Sequence, residues 1–205
     1  MDRIEVFFLR HGEVDSPQGV FYGQMDVPLS QRGREQSLKS AERLSRLKLD
    51  RILSSDLSRC IHTVKNVKGF PDNRIIIEPA LREIYFGRWQ GLSWDEIEGK
   101  WPGEMQRRMN ELATYRPPGG ESLSDLWNRS KDVLLRCLDG HYGKRVAIVA
   151  HGGINRVFMC MLLGIDLQNL FSFQQDYACF NRVDSYSDGL RVLRFVNCTC
   201  HLEGL

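Results

Sequence analysis

The sequence predicts an α/β fold, a three-layer sandwich with a mostly parallel central sheet, on three observations. Two short runs of strand formers, residues 4–9 and 146–150, are apolar at nearly every position, the pattern of a strand covered on both faces. The first run is followed by Arg10 and then His11-Gly12, the second directly by His151-Gly152. Between and after them apolar residues recur at helical spacing, so strands alternate with helices, which covers a parallel sheet on both sides.

Taken in order, residues 4–9 form the first strand and Ser30 is the N-cap of a helix over 31–47. Residues 51–54 and 75–77 are two further strands, and Ser54-Ser55-Asp56-Leu57-Ser58-Arg59 marks the passage from the first of these into a helix. A helix is predicted over 122–138, with Leu123, Leu126, Trp127, Val133, Leu134, Cys137 and Leu138 at helical spacing, and Arg116-Pro117-Pro118-Gly119-Gly120 is the loop before it. Another helix follows His151 directly, with an apolar stripe of Ile154, Val157, Phe158, Met161 and Leu162 and a stop at Gly164. Residues 177–183 and 190–196, separated by Ser187-Asp188-Gly189, predict a closing hairpin. Residues 12–29 show neither period, and so long a loop inside a compact domain is expected to be functional.

Composition bounds the partners. A chain of 205 residues with 42% hydrophobic content buries one substantial core, so residues 1–205 are read as a single domain. The 28 basic and 26 acidic residues are mixed along the chain and leave a net charge of +2, which excludes the broad positive field of a nucleic-acid protein. The first apolar stretch is too short for a signal segment or a membrane span, so no membrane partner and a cytoplasmic location are expected. Cys60, Cys137, Cys160, Cys179, Cys198 and Cys200 lie among apolar neighbours and are expected to be free thiols. Cys198-Thr199-Cys200-His201 contains metal-ligand types but lacks the second ligand pair of a structural zinc site, and reads as a strand end plus tail.

In a parallel α/β sheet ligands bind beyond the carboxyl ends of the strands, and two strands here deliver a histidine to that edge. Arg10 precedes His11, and Gly152-Gly153 follow His151, where small residues at a helix start let backbone N–H groups approach an anion. Arg59 comes from a third strand-to-helix passage. Guanidinium groups bind phosphate oxygens in pairs and keep their charge, so the constellation suits a phosphate.

Leu9-Arg10-His11-Gly12-Glu13 resembles the RHGE signature of the histidine phosphatase (phosphoglycerate mutase-like) superfamily. Residues 22–30 with Gly33 and Gln36, residues 54–59 with Thr63, residues 81–91, residues 118–122 and residues 149–153 resemble its later motifs in the same order, over nearly the whole chain. The resemblance implies that His11 attacks phosphorus, that Arg10, Arg59 and His151 hold the phosphoryl oxygens, and that Glu83 handles the proton. It implies substrate contacts from Arg10, Tyr22, Gly23, Arg59, Glu83, His151 and Gly152, and a small phosphorylated metabolite as partner. Two nearby guanidiniums favour the neutral, nucleophilic imidazole, and prepositioned donors stabilise the charge that spreads over the phosphoryl oxygens. No dense carboxylate cluster suggests a magnesium site, so neither metal nor cofactor is expected. Ile84, Tyr85, Phe86 and Trp89 either desolvate Glu83 in part or pack into the core, the second at least as readily for the aromatics. Many relatives carry Glu where this chain has Gln90, which alters the electrostatics expected around Glu83.

Mutases that resemble this sequence carry longer insertions after the acid motif and a longer C-terminal tail, so the short path from Glu83 to Ser122 and the ending at Leu205 favour hydrolysis. Length and the loop around Tyr22 resemble α-ribazole phosphatases and broad-specificity enzymes near them. Phosphoglycerate mutase and fructose-2,6-bisphosphatase-like activities remain alternatives, as does a non-catalytic phospho-ligand binding protein. That last class is disfavoured because Arg10, His11, Arg59, Glu83 and His151 all stand. Phe21, Tyr22, Arg82, Trp94, Arg107 and Arg116 are candidates for reading the substrate body, while Arg107-Arg108 also fits a solvated helix face. A homodimer is left open.

Overall fold

The structure, a computed structural model, describes residues 3–205. Six strands, β1 (Arg3–Arg10), β2 (Arg51–Ser54), β3 (Ile75–Ile77), β4 (Arg145–Ala150), β5 (Phe180–Tyr186) and β6 (Arg191–Cys198), form one sheet in the order β3-β2-β4-β1-β5-β6. The first four are parallel; β5 is antiparallel to β1 and β6 to β5. The helices are α1 (Gln31–Ser45), α2 (Ser58–Lys65), α3 (Trp94–Lys100), α4 (Glu104–Asn110), α5 (Leu123–Leu138) and α6 (Gly152–Leu163).

Alternation along the strands builds the three layers. Val6 and Phe8 of β1 and Val146 and Ile148 of β4 pack with Leu126, Val133, Val157 and Phe158 of α5 and α6. Phe7, Leu9, Ala147 and Val149, on the other face, pack with Ala41 and Leu44 of α1 and Cys60 and Val64 of α2. Both faces are thus dry, which is why β1 and β4 read as continuous apolar runs. No helix among the described residues is long and apolar enough to cross a membrane.

Local signals set most boundaries. Ser30 caps α1, its hydroxyl accepting from Gly33 N at 3.0 Å, and Ser122 and Asp125 form a capping box at α5. Helix α1 stops at Ser45, before Leu47, because Arg46 closes it and Lys48 turns to a φ of 48°. Helix α6 ends at Gly164, φ 66°, as predicted, but Met161 is exposed and the buried set runs through Met159 and Cys160, so its inner face is broader than one stripe. The hairpin is displaced: residues 177–179 form a turn with Ala178 at φ 57°, and β5 runs on to Tyr186. That turn aims Tyr177 at the site instead of into a ladder. Helices α3 and α4 escape the sequence reading because seven residues are too few for a period to register; with Trp89 and Tyr115 they form a small apolar cluster of their own.

Because β1 and β4 are neighbours and the chain after each turns to opposite faces, the residues that follow them meet in a crevice at the carboxyl edge. The loop after β1 lies directly on the first turn of α1: a Cβ added at Gly33 would stand 1.8 Å from the Glu13 carbonyl oxygen. Gly33→Ala therefore should destabilise the fold by about 1–3 kcal/mol, read as a lower urea midpoint; an unchanged midpoint would show that this contact does not hold the loop.

Candidate active site

His11 leaves β1 with its N–H on the Ala150 carbonyl (3.1 Å) and its own carbonyl accepting from Ala178 N (2.9 Å), which fixes its backbone between β4 and the turn before β5. Its Nδ1 is 2.7 Å from the Gly12 carbonyl. A carbonyl only accepts, so the ring proton is assigned to Nδ1 and Nε2 keeps its lone pair. The ring is buried, with His151 at 5.1 Å, Tyr177 at 5.8 Å and Tyr22 at 6.4 Å between centroids. Burial, then Arg59, then Arg10 hold its pKa well below the ordinary histidine value, so the imidazole is neutral at neutral pH.

His151, at the end of β4, is equally buried. Its Nδ1 accepts from Arg59 Nε at 3.2 Å, so Nε2 carries the proton towards Ser55 Oγ at 2.9 Å. Burial and the neighbouring Arg59 depress its pKa in the same sense.

At this edge Arg10, Arg59 and Arg156 donate to backbone carbonyls and not to carboxylates. Arg10 Nη1 donates to the Gln175 carbonyl at 2.6 Å, with its guanidinium 3.9 Å from the centre of the Tyr177 ring, while its buried Nε has no hydrogen-bond partner among the described residues. Arg59 is fully buried and donates from Nη1 to Met25 O and from Nη2 to Gly23 O, both at 2.7 Å. It thereby ties residues 23–25 of the irregular loop across the site. Arg156 on α6 donates to Phe173 O at 3.1 Å and Gly152 O at 3.4 Å. Arg108 on α4, 9% exposed, has the rings of Phe21 and Phe86 within 5.9 Å and, among the described residues, only the Met109 sulfur as a weak acceptor at 4.0 Å; burial lowers its pKa. A carbonyl satisfies hydrogen bonds without cancelling charge, so these cations remain available to an anion.

Glu83 is the acid that lines the cleft with Arg10, Arg108 and Arg156. Its carboxylate accepts from Gly153 N at 2.9 Å, Ile154 N at 3.3 Å and Ile84 N at 2.9 Å. The helix-start N–H groups expected to face an anion thus already hold Glu83, and Gly153 is required because a Cβ there would lie 2.4 Å from Glu83 Oε1. Arg129 of α5 braces the acid segment from behind, donating to the carbonyls of Ala80, Arg82 and Glu83 and to Glu121. Gln90 accepts from Gln24 N at 2.9 Å, and Gln24 Nε2 donates to the Glu83 carbonyl at 3.0 Å, so Gln90 supports the loop and touches Glu83 only through it. Trp89 packs into the apolar cluster of α3 and α4, the core role open to it, and Tyr85 is 39% exposed, while Ile84 and Phe86 line the cleft with Glu83.

Arg10, Phe21, Glu83, Phe86, Trp94, Arg108, Gly152, Gly153 and Arg156 line one cleft of about 410 Å³. His11, Arg59 and His151 lie buried beside it, with Tyr22 and Tyr177 packed near His11. Gly23 enters through its carbonyl on Arg59, and Gly152 through its small size, which leaves room for Arg10 and Arg156. Three of the candidates for reading the substrate body are engaged elsewhere: Arg82 with Asp56, Arg107 with Glu104 and Glu111, and Arg116 with Asp125. The sequence reading missed Arg108, Arg129 and Arg156. Among the described residues no group of three His, Cys, Asp or Glu is placed to hold a metal ion.

Residues 6–198 match a family model described as the histidine phosphatase superfamily, branch 1. Phosphoserine phosphatase 1 of Hydrogenobacter thermophilus is 34% identical over 200 residues, covering 97% of this chain and 94% of the relative. A mycobacterial glucosyl-3-phosphoglycerate phosphatase structure is similar at a TM-score of 0.85 and 27% identity, covering 96% of this chain and 100% of that one. The α-ribazole phosphatase from Shigella flexneri gives a TM-score of 0.84 at 24% identity, covering 95% and 96%, a likeness of fold alone.

The two buried neutral rings set the acid limit of the fold. Below the ordinary histidine pKa of 6.5 the unfolded chain binds protons that folded His11 and His151 refuse. Stability is then expected to fall with pH from about 6.5 downward, by up to about 1.4 kcal/mol per pH unit for each ring. Urea denaturation at pH 7 and pH 5 measures this, and His11→Asn should flatten the slope; an identical slope in that variant would contradict a neutral buried His11.

Proposed function

The chain belongs to the histidine phosphatase superfamily and is a phosphomonoester hydrolase, and from that premise we propose that His11 carries the phosphoryl group between substrate and water. Nε2 attacks phosphorus as the bond to the ester oxygen breaks, and Glu83 passes a proton to the departing alkoxide. Water then attacks the phosphohistidine, returns a proton to Glu83 and releases inorganic phosphate with Nε2 restored. The supporting geometry is the Nδ1–H held by Gly12, which leaves only Nε2 free to attack, and the anchoring of Glu83 by three N–H groups. Arg10, Arg59 and His151 are the proposed partners of the phosphoryl oxygens. On binding, those oxygens replace the Gly23 and Met25 carbonyls at Arg59, which frees residues 23–25, including the neighbour of Tyr22.

The substrate is a small phosphomonoester whose body carries a second anionic group, a carboxylate. The observation that carries this reading is Arg108, a nine-tenths buried guanidinium in the cleft with no carboxylate partner among the described residues. Burying an unpaired cation costs stability unless a ligand completes it. Phosphoserine and phosphoglycerate esters, named in the relatives' activities, carry such a carboxylate. An α-ribazole phosphate would leave Arg108 unmatched, and a bisphosphate would set its second phosphate there. The buried free thiols of Cys60, Cys137, Cys160 and Cys179 fit a reducing, cytoplasmic compartment.

The test is steady-state hydrolysis in excess EDTA of phosphoserine, 3-phosphoglycerate, fructose 2,6-bisphosphate, α-ribazole phosphate and p-nitrophenyl phosphate. Wild type should prefer the carboxylate esters, and Arg108→Leu should lower their kcat/KM by about tenfold or more while changing p-nitrophenyl phosphate little. Equal losses on both kinds of ester would refute the carboxylate assignment. Turnover surviving in His11→Ala would remove the proposed nucleophile.

A further inference from the structure

Away from the cleft, β6 ends at Cys198, and a short turn (Cys200–Leu202) follows. The Cys198 and Cys200 sulfurs are 3.2 Å apart. Arg43 of α1 reaches over them, its Nη1 donating to Cys198 Sγ at 3.3 Å and Cys200 Sγ at 3.7 Å and lying 3.3 Å from His201 Nδ1. The guanidinium rests 4.4 Å from the Phe180 ring centre and 5.6 Å from that of Phe195. A fixed cation among the three donor atoms repels a metal ion and favours a thiolate, so the arrangement suits sulfur chemistry.

The remaining four cysteines are buried, and burial raises their thiol pKa values, to about 12 for Cys60, Cys137 and Cys179 and about 11 for Cys160. Cys198 and Cys200 are half-buried and exposed. Burial opposes ionisation of Cys198 too, but the hydrogen bonds from Arg43 and Cys200 outweigh it and leave the group below the ordinary thiol value, while the bond with Cys198 raises Cys200. One sulfur is prepared to attack and its neighbour to resolve.

We propose that Cys198 and Cys200 form a peroxide-reactive dithiol that closes to an intramolecular disulfide. The Cys198 thiolate attacks one oxygen of hydrogen peroxide, the O–O bond breaks, and hydroxide leaves a sulfenic acid on Cys198. The Cys200 sulfur then attacks that sulfur; the S–OH bond breaks, the Cys200 proton joins the departing hydroxyl as water, and the disulfide forms. Peroxide is reduced by two electrons and the two thiols are oxidised by two.

The change has a route to the catalytic edge. Asn197, at φ 51°, accepts from Asp176 N through Oδ1 and donates from Nδ2 to Asp176 Oδ2, each at 2.7 Å. Asp176 stands between Gln175, whose carbonyl holds Arg10, and Tyr177, whose ring lies against Arg10. Closing the disulfide shifts backbone beside Asn197 and so disturbs the grip on Arg10, lowering phosphatase activity until the thiols are restored.

The experiment treats the reduced full chain with hydrogen peroxide, alkylates remaining thiols and digests with trypsin, which releases residues 195–205 carrying both cysteines and no others. That peptide should be lighter by two hydrogen atoms and unalkylated, before any change at the four buried cysteines. Cys200→Ser should instead accumulate a sulfenic acid trapped by dimedone, and Arg43→Gln should slow the wild-type reaction several-fold. In parallel, kcat/KM should fall several-fold on oxidation, recover with dithiothreitol, and stay constant in Cys200→Ser. Two alkylated cysteines after treatment, or first oxidation at a buried cysteine, would overturn the dithiol. An oxidised peptide with unchanged kcat/KM would overturn the link to Arg10.

Discussion

The structure depends on the hydrogen bond between His11 Nδ1 and the Gly12 carbonyl. A buried imidazole must be neutral to escape the desolvation cost of a charge, and a neutral ring has one donor and one acceptor nitrogen. Committing the donor to the residue's own neighbour assigns the acceptor to the reacting side. The guanidiniums of Arg59 and Arg10 then reinforce neutrality by opposing a further proton. Everything else at the carboxyl edge supports a neutral base surrounded by cations.

Keeping several cations close together requires partners that hold them without neutralising them. Carbonyl oxygens from two segments, residues 173–175 and 23–25, do this: Gln175 for Arg10, Phe173 for Arg156, and Gly23 and Met25 for Arg59. Outside the cleft, Arg82, Arg107 and Arg116 are each matched to a carboxylate. Glu83 is held on the same principle with the signs reversed, by backbone N–H groups and not by an arginine.

The layers and the five central groups were legible because both depend on local sequence. Mostly apolar runs mark β1 and β4; Arg10 ends β1, His11 and His151 follow β1 and β4 directly, and Arg59 lies in the first turn of α2 after β2. What escaped depends on contacts distant in sequence. Arg107 and Arg108 are adjacent, yet the turn of about 100° per residue in a helix sends one to Glu104 and Glu111 and the other inward over Phe21 and Phe86. Arg129 and Arg156 look like ordinary helix-surface charges until the carbonyls they meet are placed. Gly152-Gly153 was read as an anion cradle, whereas the space at Gly153 is filled by Glu83 from 70 residues away. The hairpin slipped because Tyr177, a good strand former, is used for its ring against Arg10.

The most direct measurement of the central claim is detection of the phosphoryl group on the enzyme. Rapid mixing with a substrate ester, quenching into base where phosphohistidine survives, and mapping by mass spectrometry and phosphorus NMR locate both residue and nitrogen. A phosphoryl group on Nε2 of His11 is the expected result. Transfer to Nδ1, or to any other residue, would contradict the role given to the Gly12 carbonyl.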